Sequence, residues 1–318
     1  MSLLIRKPGI LTTVQDLGRI GSRRLGINPN GVMDPVAVRV INIALGNNEN
    51  APVLEMHFPA AEVEFTENTN LAIGGADFRA EIDGRPVSNW RSSIAEKGSV
   101  LKFREKVNGN RAYLAVNAGV AANNWLNSAS TNLPAHVGGV SGRALVSDDL
   151  IKTEPGSPEN SISIGRSLIP RYSRFPTIRI VPSGEFELLS AVSERTLLDE
   201  MFTLTKDSNR MGYRLEGKPL HLLHEKNLVS SATTFGTIQL LPDGQMVILM
   251  ADHQTTGGYP RLGNVITADL PIAGQLGPGD RVGFKIVSVA EAEEIQMQLD
   301  HELTLFKVAC RLKQQQLL

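Results

Sequence analysis

Met246-Val247-Ile248-Leu249-Met250-Ala251-Asp252-His253-Gln254-Thr255-Thr256-Gly257-Gly258-Tyr259-Pro260 is the stretch from which the fold is read. Its first six residues are wholly apolar, the length of a buried strand. The next nine bring an acid, an imidazole, an amide, two hydroxyls and two glycines to the end of that strand. Glycines admit close backbone approach to a ligand, and loops held by a rigid strand are where sites sit. A polar turn that closes a core strand and ends in Tyr-Pro is the other reading of the same residues.

Outward from this run the pattern stays β-rich. Strands are predicted at Val63-Phe65, Leu71-Ile73, Val100-Phe103, Tyr113-Val116, Ile178-Val181, Val247-Met250 and Val282-Ile286, with turn signals such as Asp83-Gly84 and Asp243-Gly244 between them. Thr153 to Pro176 carries Pro155, Gly156, Ser157, Pro158, Pro170 and Pro176 and reads as a linker. The expected organisation is a first domain at 1–152, a linker at 153–176 and a second domain at 177–318 that includes a C-terminal helix. The halves also rhyme. Ile82-Asp83-Gly84 matches Leu215-Glu216-Gly217, and Leu114-Ala115-Val116 matches Val247-Ile248-Leu249 at the same offset. Strand–turn–strand sequences converge easily, but matches in the same order point to a duplication. Two helices stand out. Asp34-Pro35 reads as an N-cap with proline at the first helical position. Ile295, Leu299, Leu303, Phe306 and Ala309 give Ala290 to Gln314 an amphipathic period.

Composition narrows the function classes. The 318 residues are 42% hydrophobic and 20% charged, which is ordinary globular usage. Lys+Arg of 32 against Asp+Glu of 33 gives a net charge of −1. That balance argues against a nucleic-acid or anionic-membrane partner. Cys310 is the only cysteine, so no disulfide framework can form within the chain, and a cytoplasmic location is expected. Leu3-Leu4-Ile5 is too short for a signal-peptide core, and no stretch approaches a membrane span.

Two further segments concentrate chemistry. Thr12-Thr13-Val14-Gln15-Asp16-Leu17-Gly18-Arg19 packs hydroxyls, an amide, a carboxylate and a guanidinium into eight residues. Projected from a turn, they would bind a small polar ligand, with Asp16 as acid or base; an Asp–Arg pair closing a turn is the alternative. Ser208-Asn209-Arg210-Met211-Gly212-Tyr213-Arg214-Leu215 offers Arg210 as a fork for a carboxylate or phosphate, or as part of a surface ion-pair network. Other matches fail. Gly212 to Lys218 has P-loop spacing, but Pro219 stands where Ser or Thr is required. His221 and His224 have no further ligands nearby, so no metal is expected.

Gly9-Ile10-Leu11-Thr12-Thr13-Val14-Gln15-Asp16-Leu17-Gly18-Arg19, Gly31-Val32-Met33-Asp34, Ser208 to Leu215, Gly236-Thr237-Ile238-Gln239 and Gln254 to Pro260 occur in this order. Together they resemble the biotin-dependent carboxyltransferase family, also called allophanate hydrolase subunit 2, over roughly Ile5 to Ala292. That family includes the C component of bacterial 5-oxoprolinase, the Kip operon protein that opposes a sporulation-kinase inhibitor, and part of urea amidolyase. The resemblance implies a mainly β fold of two cyclophilin-like β-barrel domains related by duplication. The activity it implies is ATP-dependent opening of 5-oxoproline to glutamate. The implied partners are a companion subunit 1 protein, which is the B component of 5-oxoprolinase, and a lactam hydrolase, its A component. Carboxyl transfer from carboxybiotin supplied in trans to urea or a related amide is the alternative, and a non-enzymatic regulator of the Kip type is a third. Thr12, Gln15 and Asp16 are the implied catalytic residues. Asn209, Arg210, Gln239, Gln254, Thr255, Thr256, Gly257 and Tyr259 are the implied substrate-binding residues. The chain departs from the family pattern at Asn209, where many members carry Asp, at Val32, at Pro182-Ser183-Gly184 and over Ser230 to Phe235.

Overall fold

The computed structural model describes residues 2–153, 161–224 and 228–315. The chain divides into two compact units. Unit 1 comprises 1–19, 34–171 and 299–318, and unit 2 comprises 20–33 and 172–298. This differs from the division read in the sequence at three places, the first being that the described residues of the 153–176 linker fall within the units, up to 171 in unit 1 and from 172 in unit 2. Residues 20–33 belong with the second half of the chain, and the end of the C-terminal helix belongs with the first. Neither exchange is marked in the sequence, because each piece is held by few buried residues: Asn30 to Met33 in the first, and Leu303 and Cys310 among the described residues of the second. Of the linker read at 153–176, Pro155 to Pro158 lie outside the described residues.

Unit 1 has strands β1 (Ser2–Lys7), β2 (Thr12–Gln15), β3 (Val53–Met56), β4 (Glu62–Phe65), β5 (Thr69–Asp77), β6 (Ala80–Ile82), β7 (Arg85–Pro86), β8 (Ser92–Ala95), β9 (Val100–Phe103), β10 (Asn108–Val116) and β11 (Leu150–Lys152). They form a six-stranded sheet, β11-β1-β4-β9-β6-β7, and a five-stranded sheet, β2-β3-β10-β5-β8. The period of two decides which residues face the core. Val14, Leu54, Met56, Leu114, Val116, Leu71 and Ile73 join Leu3, Ile5, Val63 and Leu101 of the other sheet in one apolar cluster. The opposite face of the five-stranded sheet carries helix α1 (Pro35–Ala44) on β5 and β10. A Cβ at Gly74 would stand 2.7 Å from Ile41 Cγ2, so only glycine lets the helix lie this close. Asp34 caps α1 as its sequence predicts: its carboxylate accepts the Ala37 N–H at 2.9 Å, and Pro35 fills the first turn.

Unit 2 has strands β12 (Thr177–Pro182), β13 (Phe202–Leu204), β14 (Gly212–Glu216), β15 (Ser231–Ala232), β16 (Thr237–Leu240), β17 (Met246–Leu249), β18 (Thr256–Gly257), β19 (Arg261–Val265) and β20 (Arg281–Ile286), with helices α2 (Ala191–Asp199) and α3 (Leu270–Gly274). Seven of the strands close a barrel in the order β12-β19-β16-β17-β14-β13-β20, while β15 and β18 make a separate ribbon. Ile178, Ile180, Tyr213, Leu215, Ile238, Leu240, Met246 and Ile248 fill its interior. Helix α4 (Val289–Gln315) begins in unit 2 and ends in unit 1. There Asp300 and Lys307 form ion pairs with Arg39 and Glu49.

Every strand predicted from the sequence is present, and the fold is mainly β. The turns used to read a repeat are not alike, however. Asp83-Gly84, both at positive φ, make a two-residue hairpin between β6 and β7. Glu216 instead ends β14, and Gly217 opens a long connection. The aligned strands also pair differently, β10 with β3 and β5, but β17 with β14 and β16.

Asp34→Ala removes the cap and is expected to lower the stability of the chain by about 1 kcal/mol. Asp34→Asn, which keeps an acceptor oxygen, should retain most of it. Denaturant midpoints of the three proteins check this.

Candidate functional site

The polar run after β17 is anchored by an ion pair. Arg210 Nε donates to Asp252 Oδ2 at 2.9 Å and its Nη2 donates to Asp252 Oδ1 at 2.9 Å. Both side chains are more than nine-tenths buried. The backbone doubles the link: the Asp252 N–H donates to the Arg210 carbonyl and the Met250 N–H to that of Met211. The same pair captures residues 28–31. Asn30 Nδ2 donates to Asp252 Oδ1, Asn28 Nδ2 to the Asp252 carbonyl, and Arg210 Nη2 to the Gly31 carbonyl. The sequence suggests Arg210 as a clamp for a ligand's carboxylate. Its fork is occupied by Asp252, so it is a structural cation that fixes the site's frame.

On either side of that pair, Asn209 and Gln254 reach an open cleft of ≈ 230 Å³ on the outer face of the barrel. Gln239, Tyr259, Arg214, Asp207, Val247 and Leu249 line it with them. Strand alternation explains the set. Tyr213, Leu215, Ile238, Ile248 and Met246 point into the barrel, so Arg214, Gln239 and Val247 point out. Register places Arg214 opposite Val247 and Val247 opposite Gln239, making one row across β14, β17 and β16. Gln239 is buried, and its Nε2 has no hydrogen-bond partner. A Cβ at Gly257 would stand 2.4 Å from that nitrogen and 3.4 Å from Gln254 Nε2, so only glycine lets the chain pass this close to the two amides. Asn209 Oδ1 accepts the Met211 N–H at 2.8 Å and so holds the turn before β14. An Asp would supply the same oxygen, which is why Asn serves at this position. Thr255 is engaged through its backbone: its carbonyl accepts the Thr233 N–H, while Thr256 and Gly257 pair with Ala232 and Ser231. The expected binding residues Asn209, Gln239, Gln254 and Tyr259 therefore share one cleft with Gly257 at its edge. Arg214 is the residue that motif reading misses, although the in–out alternation Tyr213-Arg214-Leu215 marks it.

The T-V-Q-D-L-G-R motif lies in unit 1, and its first half is a strand rather than a turn. On β2, Thr12 takes the Val14 face, with its hydroxyl donating to the Pro8 carbonyl at 2.7 Å. Thr13 and Gln15 take the other face, where Gln15 Nε2 donates to Thr13 Oγ1 at 3.1 Å and to the Thr131 carbonyl at 3.2 Å. Thr12 and Gln15 therefore do not converge. Gln15 Oε1 is buried without a partner. Asp16 is buried too, and its oxygens accept four hydrogen bonds, from the Gly18 N–H, Ser128 Oγ, Ser130 Oγ and the Ala129 N–H, all at 2.6–2.8 Å. A carboxylate has about four acceptor sites, so Asp16 is filled. The open acid or base expected there is instead the organiser of the loop at 128–130. Arg19 completes the arrangement: it donates to the Trp125 and Ser130 carbonyls and lies 5.0 Å over the Trp125 ring. Beside Thr13, the row continues with Glu55 and Tyr113. The Tyr113 hydroxyl donates to Glu55 Oε2 at 2.9 Å, and burial, with the neighbouring Glu55 and Asp34 charges, raises its pKa.

His253 belongs to the polar run but is not among the expected catalytic or binding residues. It is buried with neither ring nitrogen hydrogen-bonded. Burial first, then the Arg23 charge, lowers its pKa to about 4 against a smaller opposing effect of Asp252. The unfolded chain therefore takes up a proton that the folded chain refuses. The His253 contribution to stability is complete above its ordinary value near 6.5 and is lost as the pH falls from there through about 4. Over that window the wild type should lose more stability than His253→Gln, as urea titrations at several pH values would show. Equal pH slopes would refute the assignment. Asp16→Ala leaves four donors unmet. It should destabilise unit 1 by roughly 1.5–3 kcal/mol or more and make the chain around 128–130 sensitive to protease, which limited proteolysis checks.

Known proteins are similar to this chain in sequence and in fold. The C component of 5-oxoprolinase from Haemophilus influenzae is 39% identical over 89% of this chain and 91% of its own length. Its namesake from Escherichia coli is 34% identical over 91% and 93%. The crystal structure of the K. lactis urea amidolyase superposes with a TM-score of 0.89 at 25% identity, over 96% of this chain and 20% of that one. Residues 25–286 match the family described as carboxyltransferase domain, subdomain A and B. The chain belongs to that carboxyltransferase domain family.

Proposed function

We propose that this chain is the C component of an ATP-dependent 5-oxoprolinase, which opens 5-oxo-L-proline to L-glutamate together with companion subunits. The observation that carries the reading is its likeness, over about nine-tenths of both lengths, to two proteins named as that component. The outer cleft of the barrel supports it chemically. A lactam carbonyl is a weak electrophile, and the unpartnered Gln239 Nε2 is a donor for its oxygen. A donor fixed there before reaction favours the negative charge that develops on that oxygen. Val247 and Leu249 give an apolar floor for the ring, Tyr259 gives a wall, and the Gln254 amide lies at the rim. Arg210 enters as a positioning residue, through the turn that it holds with Asp252. The phosphate-like spacing Gly212 to Lys218 falls on β14 and the turn after it, not at the start of a helix, and does not fit a nucleotide's phosphates. We assign the ATP chemistry to the assembled enzyme. We place the protein in the cytoplasm. No helix among the described residues is long and apolar enough to cross a membrane, and the lone Cys310 thiol is buried, with its pKa pushed up to about 11.

The likeness to urea amidolyase favours one second reading. The same cleft would then take urea or a related amide, with carboxybiotin supplied in trans. Co-expression with the companion proteins separates the two. The assembled complex is expected to release glutamate from 5-oxoproline only with ATP, and the isolated chain is expected to be inactive. Gln239→Leu in the complex should lower kcat/KM by roughly 10²–10³. Carboxylation of urea by the complex, without glutamate release, would overturn the proposal.

A further inference from the structure

The cleft holds a group that neither the family nor its motifs assigned. Arg214 projects from the middle of β14 into the same space as Gln239. Among the described residues no carboxylate lies within ion-pair distance of it, whereas Arg210, four residues earlier, is fully engaged by Asp252. Arg214 and Gln239 stand in one cross-strand row with only Val247 between them. Two strand spacings of about 4.8 Å put their backbones roughly 10 Å apart, and both side chains extend to the same side. The row therefore holds a cation at one end, an aliphatic floor in the middle and, at the other end, the Gln239 amide, whose Nε2 is buried and without a partner. Asp207 lines the same cleft, and an ionised carboxylate can only accept hydrogen bonds.

We propose that this row recognises a small monoanion, with its carboxylate on the Arg214 guanidinium and its carbonyl oxygen on Gln239 Nε2. A five-membered lactam bearing a carboxylate has both groups and an apolar ring edge for Val247. Asp207 disfavours a dianion in the same place and receives the lactam N–H. Arg214 is then the residue that distinguishes a carboxylate-bearing lactam from urea or a neutral amide. The proposal rests on the 5-oxoprolinase reading only for the identity of the ligand; the charge selectivity belongs to the cleft.

Arg214 is exposed on the barrel's outer face, so Arg214→Gln should fold normally. In the assembled complex this variant should raise the KM for 5-oxoproline about tenfold or more, as for a lost charge-assisted hydrogen bond. It should leave kcat within about twofold, because the contact is equally present in ground and transition states. Titration of the isolated full chain by NMR with 5-oxoproline should show the same loss of affinity. Titration with uncharged 2-pyrrolidinone should give equal affinity for wild type and variant. An unchanged KM and affinity, or equal losses for the charged and uncharged probes, would overturn the proposal. If the wild-type complex releases no glutamate, the functional reading fails and the titrations decide the cleft alone. A carboxylate-specific loss in Arg214→Gln then supports the inference, and the absence of one refutes it.

Discussion

Two buried charges, Arg210 and Asp252, hold the start of β14 against the end of the chain leaving β17. Removing charges from water is costly, and the cost is offset only when geometry is good and the remaining hydrogen-bonding capacity is met. Here the guanidinium meets the carboxylate through two parallel bonds, and Asn30 and the Gly31 carbonyl add one bond to each partner. Losing either partner would strand the other, which typically costs about 3–5 kcal/mol. The pair also sets position. Asn209 precedes the arginine and Gln254 lies two residues after the aspartate, so locking the pair brings both to one cleft. Residues 20–33 leave the rest of the N-terminal half to join unit 2, and Asn28, Asn30 and Gly31 show the bonds that reward it.

The barrel supplies the rest of the cleft by a simpler rule. Alternate residues of β14, β16 and β17 fill the interior, so the residues between them have only the outside to face. What faces out is not uniform: Arg214, Val247 and Gln239 form a row of charge, hydrocarbon and amide. The β15–β18 ribbon then brings Gly257 against Gln239, where any Cβ would fill the space. The two glycines of the polar run thus have separate uses. Gly257 gives close approach in a buried position, while Gly258 is exposed.

The β class, the capped helix at Asp34-Pro35 and the convergence of Asn209, Gln239, Gln254 and Tyr259 are legible in the sequence because each rests on local pattern or on an ordered motif. The domain limits are not. Nothing in the composition of 20–33 or 299–318 says which core will take it, since that depends on tertiary partners such as Asp252 for Asn30 and Arg39 for Asp300. Thr12 misleads when a turn is read where β2 alternates, which sends Thr12 and Gln15 to opposite faces. The matching turns at Asp83-Gly84 and Glu216-Gly217 mislead for a related reason. Gly follows an acid both in a tight hairpin and at the end of a strand, and only pairing distinguishes them.

Asp16 and Arg214 together show why residue type is a poor guide to role in this chain. A carboxylate in a motif and an arginine on a strand look respectively catalytic and superficial. Hydrogen-bond accounting reverses both. The four donors on Asp16 are two serine hydroxyls and two backbone N–H groups drawn from the loop it organises and its own turn, so its charge is spent on construction. Arg19 is spent likewise on the Trp125 and Ser130 carbonyls, and Arg210 on Asp252. Among the described residues the buried capacity left over in these motifs is small: Gln239 Nε2, Gln15 Oε1 and the ring nitrogens of His253. Buried polar groups are almost always paired within a fold, so Gln239 Nε2 is a group the fold itself does not use. Arg214 is exposed and reaches water instead, and it lines the same cleft in the same row as Gln239. That coincidence is the ground on which we assign the cleft a ligand with an acceptor at one end and a negative charge at the other.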